Sequence, residues 1–484
     1  MSTSIINETE PKEVFRFFGE IAAIPHGSRN TAAISEYLVS FAKDRGLKYR
    51  QDDMGNVIIR KDGRGNNPVI LQGHMDMVCE KAPDCSKDMA TEGLDLYIDG
   101  EELKAKGTTL GGDDGIAVAM ALAILDGSDE SLPPIEAIFT VDEEIGMLGA
   151  AGIDVSDIQS RTMINIDSEQ EGVFTVSCAG GVVANASVDI KRDASVSQVY
   201  EVKIEGLTGG HSGIEIHKNR ANAIVLLGRV LQRLRDDAKI RIIDIEGGAK
   251  DNAIAVSAKA YISASSDTDI QGAFDDIAAA VKAEYITTDP NMTVFCEKTQ
   301  LTSLLPDKAM CEESTNDVIY MLTCLPNGIQ RMSPDVEGLV QTSLNMGILK
   351  GTNESVTLTF CVRSSVASEK DMLKSRLSEA MKMAGGRVGF EGEYPGWQYR
   401  VDSPLRNLMR EVYISQYKEE PEIEAVHAGV ECGFFADKLK GLDCVSIGPN
   451  LSEIHTYRES MNIPSVGRTY RLVTETLKRL AAEG

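Results

Sequence analysis

The chain lacks a long hydrophobic run, since no stretch of about 18 consecutive apolar residues occurs in it. Its first ten residues are polar and acidic, without the basic start and apolar segment of a secretory signal. The cysteines are scattered and include no Cys-x-x-Cys pair, which disfavours a disulfide framework or a thiolate zinc site. We therefore expect a cytoplasmic protein with free thiols and no membrane partner.

The chain has fewer basic than acidic residues. It contains 49 lysines and arginines against 74 aspartates and glutamates, which gives a net charge of −25. Nucleic acids and anionic membranes select clustered basic residues, so neither is an expected partner. A solvated acidic surface accounts for most of this charge, and some carboxylates remain available as metal ligands. At 484 residues the chain exceeds one ordinary hydrophobic core and predicts two or three domains.

Helix and strand patterns alternate over residues 1–180. The largely apolar runs at 135–141 and 162–166 predict strands that are buried on both faces. This alternation predicts an α/β fold, in which helices cover both faces of a largely parallel central sheet. The same alternation of helix and strand patterns resumes after residue 403. We therefore expect residues 1–184 and 396–484 to form one domain that is split in the sequence.

The pattern changes after Gly180-Gly181. The order strand, helix, strand, strand, helix, strand then predicts a ferredoxin-like unit, and a weaker second round follows it. We expect residues 185–395 to form an inserted α+β domain made of two ferredoxin-like halves.

Polar clusters with His or carboxylate side chains follow several of the apolar runs. They are His74-Met75-Asp76, Gly111-Gly112-Asp113-Asp114-Gly115, Asp142-Glu143-Glu144, Asn165-Ile166-Asp167 and, far downstream, Ile454-His455-Thr456. Binding sites in open α/β sheets lie outside the carboxyl ends of the strands. Since His74, Glu144 and Asp167 each follow a predicted strand, their side chains can converge at one edge of the sheet.

Taken singly, each cluster has a simpler explanation as a structural histidine, a Gly-Asp turn or the solvated start of a helix. Two divalent ions about 3.5–4 Å apart need an oxygen bridge and a few nitrogen or oxygen ligands on each ion. The clusters together supply such a set, and they indicate a two-metal hydrolase. The predicted ligands are His74, Asp113, Glu144, Asp167 and His455.

Seven segments carry a resemblance to a known family. They are QGHMDMV (72–78), TTLGGDDGIAVAMALAIL (108–125), FTVDEEIGMLGA (139–150), INIDSE (164–169), GGHSGIEIH (209–217), HAGVECG (427–433) and IHTYRESM (454–461). The chain resembles the M20 family of metallopeptidases, and most of all its aminoacyl-histidine dipeptidase (Xaa-His dipeptidase, peptidase D, carnosinase-like) branch. The resemblance implies a zinc-dependent catalytic domain and a smaller lid domain.

The resemblance also implies how the ligands are shared. Asp113 should bridge two Zn²⁺ ions, with His74 and Asp167 on one ion and Glu144 and His455 on the other. Mn²⁺ and Co²⁺ share this ligand preference and are alternatives. In relatives the peptide bond between the residues that correspond to Asp113 and Asp114 is cis.

Three further residues are expected to be catalytic. Glu143, adjacent to a ligand, can take a proton from the attacking water and pass it to the leaving nitrogen; the alternative is a solvent-facing neighbour of a ligand. Asp76 can accept a hydrogen bond from His74 and orient its ring. His211 lies in a Gly-Gly-His-Ser-Gly segment and can stabilise an oxyanion, from its own chain or from a partner subunit; a lid-core histidine is the alternative.

Recognition of the substrate is expected to involve the inserted domain. Arg363 offers a planar fork for the free carboxylate of a dipeptide, and Asn252 is a second candidate; surface salt bridging is the alternative. His427, Gly429 and Glu431 lie where the split domain resumes and are expected to line the pocket.

The sequence therefore predicts a cytosolic di-zinc dipeptidase that hydrolyses unblocked dipeptides, Xaa-His (carnosine-like) dipeptides above all, and acts as a monomer or homodimer. Another hydrolase of the same family, such as a tripeptidase, carboxypeptidase or N-acyl amino acid deacylase, is the neighbouring alternative. A non-catalytic peptide-binding protein on the same scaffold is the alternative from a different class.

Overall fold

The computed structural model describes residues 6, 8–300 and 302–483. The chain forms two compact units. The first comprises Met1–Cys178, Tyr399–Ala425 and Val430–Gly484, and the second comprises Ala179–Gln398 and Val426–Gly429. The assignment of catalytic and lid roles to these units stays a prediction.

The described residues form strands in this chain order: β1 (Lys48–Gln51), β2 (Val57–Lys61), β3 (Val69–His74), β4 (Leu96–Asp99), β5 (Glu102–Ala105), β6 (Ile135–Thr140), β7 (Thr162–Asn165), β8 (Val173–Cys178), β9 (Gly180–Asp189), β10 (Arg192–Ser195), β11 (Gln198–Glu205), β12 (Arg241–Gly248), β13 (Ala258–Ala264), β14 (Thr293–Thr299), β15 (Lys308–Met310), β16 (Gly328–Met332), β17 (Val340–Gly351), β18 (Ser355–Ser364), β19 (Arg387–Tyr394), β20 (Glu422–Val426), β21 (Asp443–Ser446), β22 (Leu451–Ser452) and β23 (Ser460–Asn462).

The α-helices of the described chain, in order, are α1 (Lys12–Ala22), α2 (Ala32–Asp44), α3 (Gly112–Asp126), α4 (Leu148–Gly152), α5 (Ala223–Ala238), α6 (Ile270–Glu284), α7 (Glu312–Cys324), α8 (Ala367–Met383), α9 (Pro404–Tyr417), α10 (Cys432–Lys438) and α11 (Ile463–Glu483). None of them is both long enough and apolar enough to cross a membrane.

The first unit is built on an eight-stranded sheet with the order β1-β2-β6-β3-β7-β21-β8-β20. The four central strands β6, β3, β7 and β21 run parallel. Strand β2 pairs antiparallel with β1 and β6, and β8 pairs antiparallel with β21. This mixed sheet confirms the predicted α/β class and places the parallel pairing at its centre.

Helices cover both faces of this sheet. Every residue of β3 and β6 is buried, as expected for strands packed on two sides. The larger core joins one face of the strands to α1, α2, α3, α9 and α11. The side chains of successive strand residues point to opposite faces of a sheet. In β21, Val445 belongs to the larger core, whereas the neighbouring Cys444 contacts Cys432 of α10. Helix α10 therefore packs on the opposite face, which gives an α/β/α layering.

A smaller four-stranded sheet, β22-β23-β5-β4, also belongs to the first unit. Strands β22 and β23 form an antiparallel pair, and β23 pairs in turn with β5. The loop between β22 and β23 carries His455. Because β5 leads into the segment before α3, this sheet brings two distant parts of the chain together.

The second unit contains a nine-stranded sheet of two ferredoxin-like halves. One half has the strand order β14-β11-β13-β12, with α5 following β11 and α6 following β13. The other half has the order β19-β9-β18-β17, and the first half is inserted between β9 and α7. All neighbouring strands within each half are antiparallel, and β12 joins β17 across the boundary.

Candidate metal centre

His74 lies at the carboxyl end of β3, where its imidazole faces two carboxylates. Its Nε2 is 3.1 Å from Asp113 Oδ1 and 3.5 Å from Asp167 Oδ1. Gly73 permits this arrangement, because a Cβ there would overlap the carboxylate of Asp114 at the start of α3. Residues from three separate elements thus place one imidazole nitrogen beside two carboxylate oxygens.

His455 presents a second nitrogen to the other oxygen of Asp113. Its Nε2 lies 3.1 Å from Asp113 Oδ2 and 3.0 Å from Glu144 Oε2. The backbone of His455 has a φ of 58°, in the left-handed region that non-glycine residues seldom adopt outside turns and functional sites. Asp113 therefore faces one histidine with each of its carboxylate oxygens, as a carboxylate shared by two ions would.

The electrostatics of this centre suit cations. Glu144 Oε1 is buried without a hydrogen-bond partner among the described residues. Hydrogen bonds to Asp113 and Glu144 raise the pKa of His455 to about 10. Burial alone would lower the pKa of His74, but Asp113 and Asp167 raise it well above its usual value. This electronegative set of imidazole and carboxylate groups fits zinc, manganese or cobalt.

Crowded carboxylates strengthen this fit. Burial, together with the charges of Asp113 and Glu144, raises the pKa of Asp167 to about 6. Burial and the charges of Asp113 and Asp167 raise the pKa of Glu169 to about 7. A divalent cation would relieve this mutual repulsion, since its charge inverts the local preference for protonated carboxyl groups.

Asp114 has a different environment from Asp113. Its Oδ2 accepts a hydrogen bond from the backbone N–H of His74 at 3.1 Å, and its side chain is buried. A carboxylate oxygen of Asp114, one of Asp167 and an imidazole nitrogen of His74 also lie within 4.8 Å of one another, within reach of a common ion. Asp114 is thus engaged by the β3 backbone, whereas each carboxylate oxygen of Asp113 faces a histidine. The peptide bond between the two residues is cis.

Asp76 contacts both the strand that carries His74 and the turn that carries the two glutamates. Its carboxylate lies 3.5 Å from His74 Nδ1, and its backbone carbonyl is closer, at 3.0 Å. The same carboxylate accepts hydrogen bonds from the backbone N–H of Glu143 at 3.0 Å, from that of Glu144 at 3.4 Å and from the Ser28 hydroxyl at 2.8 Å. Asp76 is thus placed to position the turn after β6 as well as the ring of His74.

Glu143 lies in the turn after β6, beside the proposed ligand Glu144. Burial raises its pKa to about 9, and the charges of Asp167, Glu431 and Glu144 act in the same direction against an opposing effect of His74. Cations bound at the neighbouring groups would counter this repulsion and favour the ionised form of Glu143 that can accept a proton.

Glu431 is placed differently from its predicted role in contacting substrate. It has no exposed surface, and its Oε2 accepts hydrogen bonds from Gln72 Nε2 at 2.6 Å and Thr140 Oγ1 at 2.7 Å. Gln72 Oε1 in turn accepts from Asn165 Nδ2 at 2.6 Å. Because Glu431 is fully buried, the prediction that it lines a pocket is wrong. Its hydrogen bonds instead support the carboxyl ends of β3, β6 and β7.

His211, in the second unit, has a defined tautomer. Its Nδ1 accepts hydrogen bonds from the backbone N–H groups of Gly213 at 3.2 Å and Ile214 at 3.1 Å. A proton on the ring must then reside on Nε2. Burial lowers the pKa of His211, and the nearby Arg363 lowers it further. The ring is therefore a neutral Nε2–H donor, as an oxyanion-stabilising group requires.

Arg363 is a buried guanidinium without an acidic partner among the described residues. It is 6% exposed, its Nη1 donates to the Tyr394 hydroxyl at 3.0 Å, and its Nε has no partner. Burial lowers the pKa of His427 to about 3, and Arg363 and His211 lower it too. A buried positive charge surrounded by neutral groups is a ready site for an anion.

The remaining predicted recognition residues lie near this cluster. The carbonyl of Asn252 accepts the backbone N–H of Ser212 at 2.9 Å, beside His211, while the Asn252 side chain is exposed. His427 Nε2 lies 2.7 Å from Ser343 Oγ. Gly429 is half-buried and is the last residue of the segment Val426–Gly429, which belongs to the second unit. The structure leaves the substrate roles of Asn252 and Gly429 as predictions.

Sequence reasoning missed several polar residues that hold the site. Gln72 and Asn165 interrupt apolar strands two positions before His74 and Asp167, on the same face of the sheet. A polar residue at that spacing inside a buried strand is a usable indication of a supporting role. Asn345 of β17, which donates to the carbonyls of Asp251 and Ala253, gave no such indication.

Comparison with known proteins assigns the class. Residues 70–479 match the peptidase family M20/M25/M40. The chain belongs to this family, and the resemblance inferred from its motifs is confirmed at that level.

Relatives match nearly the whole chain. The cytosol non-specific dipeptidase of Escherichia coli (strain K12) is 36% identical over 489 aligned residues, which cover 99% of this chain and 100% of that protein. The crystal structure of aminoacylhistidine dipeptidase from Vibrio alginolyticus superposes with a TM-score of 0.93 at 33% identity and covers 98% of each chain. The aminopeptidase PepT of Bacillus cereus, at 16% identity and a TM-score of 0.57 over 98% of this chain and 99% of its own, shares the fold.

Proposed function

We propose that this chain is a metal-dependent dipeptidase that holds two divalent ions. The observation that carries the proposal is the position of Asp113, whose two carboxylate oxygens each face a histidine, His74 on one side and His455 on the other. A single-ion site has no need of two histidines on opposite oxygens of one carboxylate. We assign His74 and Asp167 to one ion and Glu144 and His455 to the other, with zinc as the expected metal.

Divalent ions bound in this way would polarise the scissile carbonyl and lower the pKa of a water molecule. Glu143 then accepts the proton of the attacking water and delivers it to the leaving nitrogen, as a general base that becomes a general acid. Asp76 acts through others, because it orients the ring of His74 and anchors the backbone of Glu143 and Glu144.

The second unit supplies the groups for recognition. His211 offers an Nε2–H to the oxyanion of the tetrahedral intermediate. Arg363 offers two-pronged binding to the free carboxylate of the peptide, since its Nε is unengaged. A carboxylate bound there restricts the substrate to peptides with an unblocked C-terminus. Asn252 and Gly429 are proposed to lie along the bound peptide.

The names of the two similar dipeptidases indicate substrate ranges of different width, since one is called a non-specific dipeptidase and the other an aminoacylhistidine dipeptidase. We propose hydrolysis of unblocked dipeptides with Xaa-His among the substrates. The protein of 36% identity is named for the cytosol, and we propose the same compartment for this chain.

The test is a substrate panel on metal-stripped protein that is reconstituted separately with zinc, manganese and cobalt. We expect hydrolysis of dipeptides, including β-Ala-His, that depends on added metal. Tripeptides and N-acetyl amino acids should be poor substrates. Preferential cleavage of either of the latter would replace the proposal with another activity of the same family. Peptide binding without any hydrolysis in the metal-loaded protein would favour the non-catalytic alternative.

A further inference from the structure

Glu459 is a buried carboxylate that the resemblance does not assign to the site. It is 3% exposed, and it forms no ion pair with a lysine, arginine or histidine of the described chain. Its two oxygens accept backbone N–H groups from four consecutive residues. Oε2 lies 2.8 Å from Leu110 N and 3.1 Å from Gly111 N, and Oε1 lies 2.8 Å from Gly112 N and 3.4 Å from Asp113 N.

These contacts explain how an unpaired anion is tolerated there. Successive backbone N–H groups that converge on one point form a concave site for negative charge, and hydrogen bonds to a charged acceptor are stronger than neutral ones. Gly111 contributes the left-handed conformation that turns its N–H inward, with a φ of 67°. The carboxyl group of Glu459 therefore fixes the turn that ends at Asp113.

The segment of Glu459 also carries His455. Both lie between β22 and β23, and β23 pairs with β5 through Ser460 and Lys104. One end of this loop therefore presents the imidazole to Asp113 Oδ2, while the other end holds the backbone of Asp113.

We propose that Glu459 is a positioning residue that sets the spacing between His455 and Asp113, and thereby the affinity of the ion that these two residues and Glu144 would hold. The inference rests on the proposed two-ion site. The other ion shares Asp113, but its other proposed ligands, His74 and Asp167, are placed by β3 and by the segment after β7, and no hydrogen bond joins either of them to Glu459 among the described residues. Loss of Glu459 should consequently weaken one ion much more than the other.

The test compares Glu459→Gln with Glu453→Gln. Glu453 lies in the same loop and has the same charge, but it is exposed and pairs with Arg458, so it controls for the loss of one negative charge near His455. Metal-stripped protein is titrated with Co²⁺ and followed by visible absorption, and metal content after dialysis against zinc is measured by mass spectrometry. These readouts do not require activity.

We expect wild type and Glu453→Gln to bind two ions per chain. In Glu459→Gln one ion should bind roughly 10–100-fold more weakly, the range typical of groups that orient ligands. At limiting metal, kcat should fall more than KM rises, and excess metal should restore part of kcat. Unchanged affinity for both ions, or equal weakening of both, overturns the inference.

A second variant covers the case in which Glu459→Gln does not fold. Glu459→Asp keeps the charge but is one methylene shorter, so it reaches fewer of the four N–H groups and should weaken the same ion selectively. If Glu459→Asp binds both ions as wild type does, the inference is overturned. Wild-type protein that itself binds fewer than two ions refutes the proposed two-ion site, which is a separate outcome.

Discussion

Gln72 and Glu431 are 359 positions apart in the sequence, yet Gln72 Nε2 donates a hydrogen bond of 2.6 Å to Glu431 Oε2. The same carboxylate oxygen accepts from Thr140, and Gln72 accepts from Asn165. One buried acid thus ties together the ends of the three parallel strands that precede His74, Glu143 and Asp167. The edge of the sheet that carries the proposed ligands is held by this network as well as by strand pairing.

Replacement of Glu431 by Met should destabilise the first unit. It leaves the buried Gln72 amide and Thr140 hydroxyl without their acceptor, and each such loss costs about 1–3 kcal/mol. We expect the free energy of unfolding in urea to fall by about 2–6 kcal/mol. Glu431→Gln retains an oxygen acceptor and should lose less. Equal stability of Glu431→Met and wild type would show that the network contributes nothing.

Replacement of Glu143 by Ala should remove turnover while metal stays bound. Glu143 is not among the groups that converge on Asp113, so its loss removes the proton acceptor and leaves the proposed ligands in place. General acid–base groups contribute roughly 10²–10⁴-fold to rate, and we expect kcat to fall by at least this range. Metal content is measured on the same sample. Near-normal kcat in a fully loaded variant would refute the assignment.

Asp76→Ala should lower both metal affinity and activity. The change removes the acceptor of two backbone N–H groups in the turn of Glu143 and Glu144, as well as the carboxylate beside His74. We expect a loss of roughly 10–100-fold in metal affinity by competitive chelator titration. Ser28→Ala is a graded control, since it removes only one of the donors to Asp76. An effect of Ser28→Ala as large as that of Asp76→Ala would argue against this explanation.

Arg363→Gln should raise KM for dipeptides that have a free carboxylate. The side chain is buried, and no acidic residue in the described part of the chain pairs with it, so the variant removes the charge that a substrate carboxylate would meet. The matched substrate is the corresponding dipeptide amide, for which wild type and variant should have similar kcat/KM. Tyr394→Phe removes only the hydroxyl that accepts from Arg363 and should have a smaller effect. An equal loss on both substrates would mean that Arg363 does not bind the carboxylate.

The proposed ligands could be predicted from the sequence because they follow local patterns. His74 ends β3, and Glu144 and Asp167 lie in the segments that follow β6 and β7. These strands are largely apolar, and the parallel order of β6, β3 and β7 brings their carboxyl ends to one edge. His455 follows no such strand. Its place depends on the pairing of β23 with β5, which no local pattern reveals, and only the motif IHTYRESM indicated it.

The supporting roles of Glu431 and Glu459 could not be predicted from the sequence, for two physical reasons. Glu431 was expected to line the pocket, because its segment resumes the split domain, but its burial depends on how α10 packs on the sheet face opposite the main core. Glu459 binds backbone N–H groups, which every residue except proline carries, so no residue type in its partner segment marks the contact. In the sequence, the second ferredoxin-like pattern of the second unit is weaker than the first. The reason is that the first half is inserted into the second half, between β9 and α7.

His427 should make the stability of the second unit depend on pH. It is 7% exposed, its Nε2 contacts Ser343 Oγ, and burial together with Arg363 and His211 lowers its pKa from 6.5 to about 3. Between these two values the unfolded chain binds a proton that the folded chain excludes. Stability is therefore highest above pH 6.5 and falls as pH decreases towards 3.

Each pH unit within this window is worth about 1.4 kcal/mol, so His427 should account for a loss of about 2 kcal/mol between pH 6.5 and pH 5. The measurement is the free energy of urea unfolding for wild type and His427→Gln at several pH values. Gln can keep a hydrogen bond to Ser343 but does not titrate, so the pH dependence that the two proteins share comes from other groups. The difference between them should shrink as pH falls, because only wild type carries the protonation cost. Parallel profiles would mean that His427 titrates with the same pKa in the folded and the unfolded chain, which would refute the prediction.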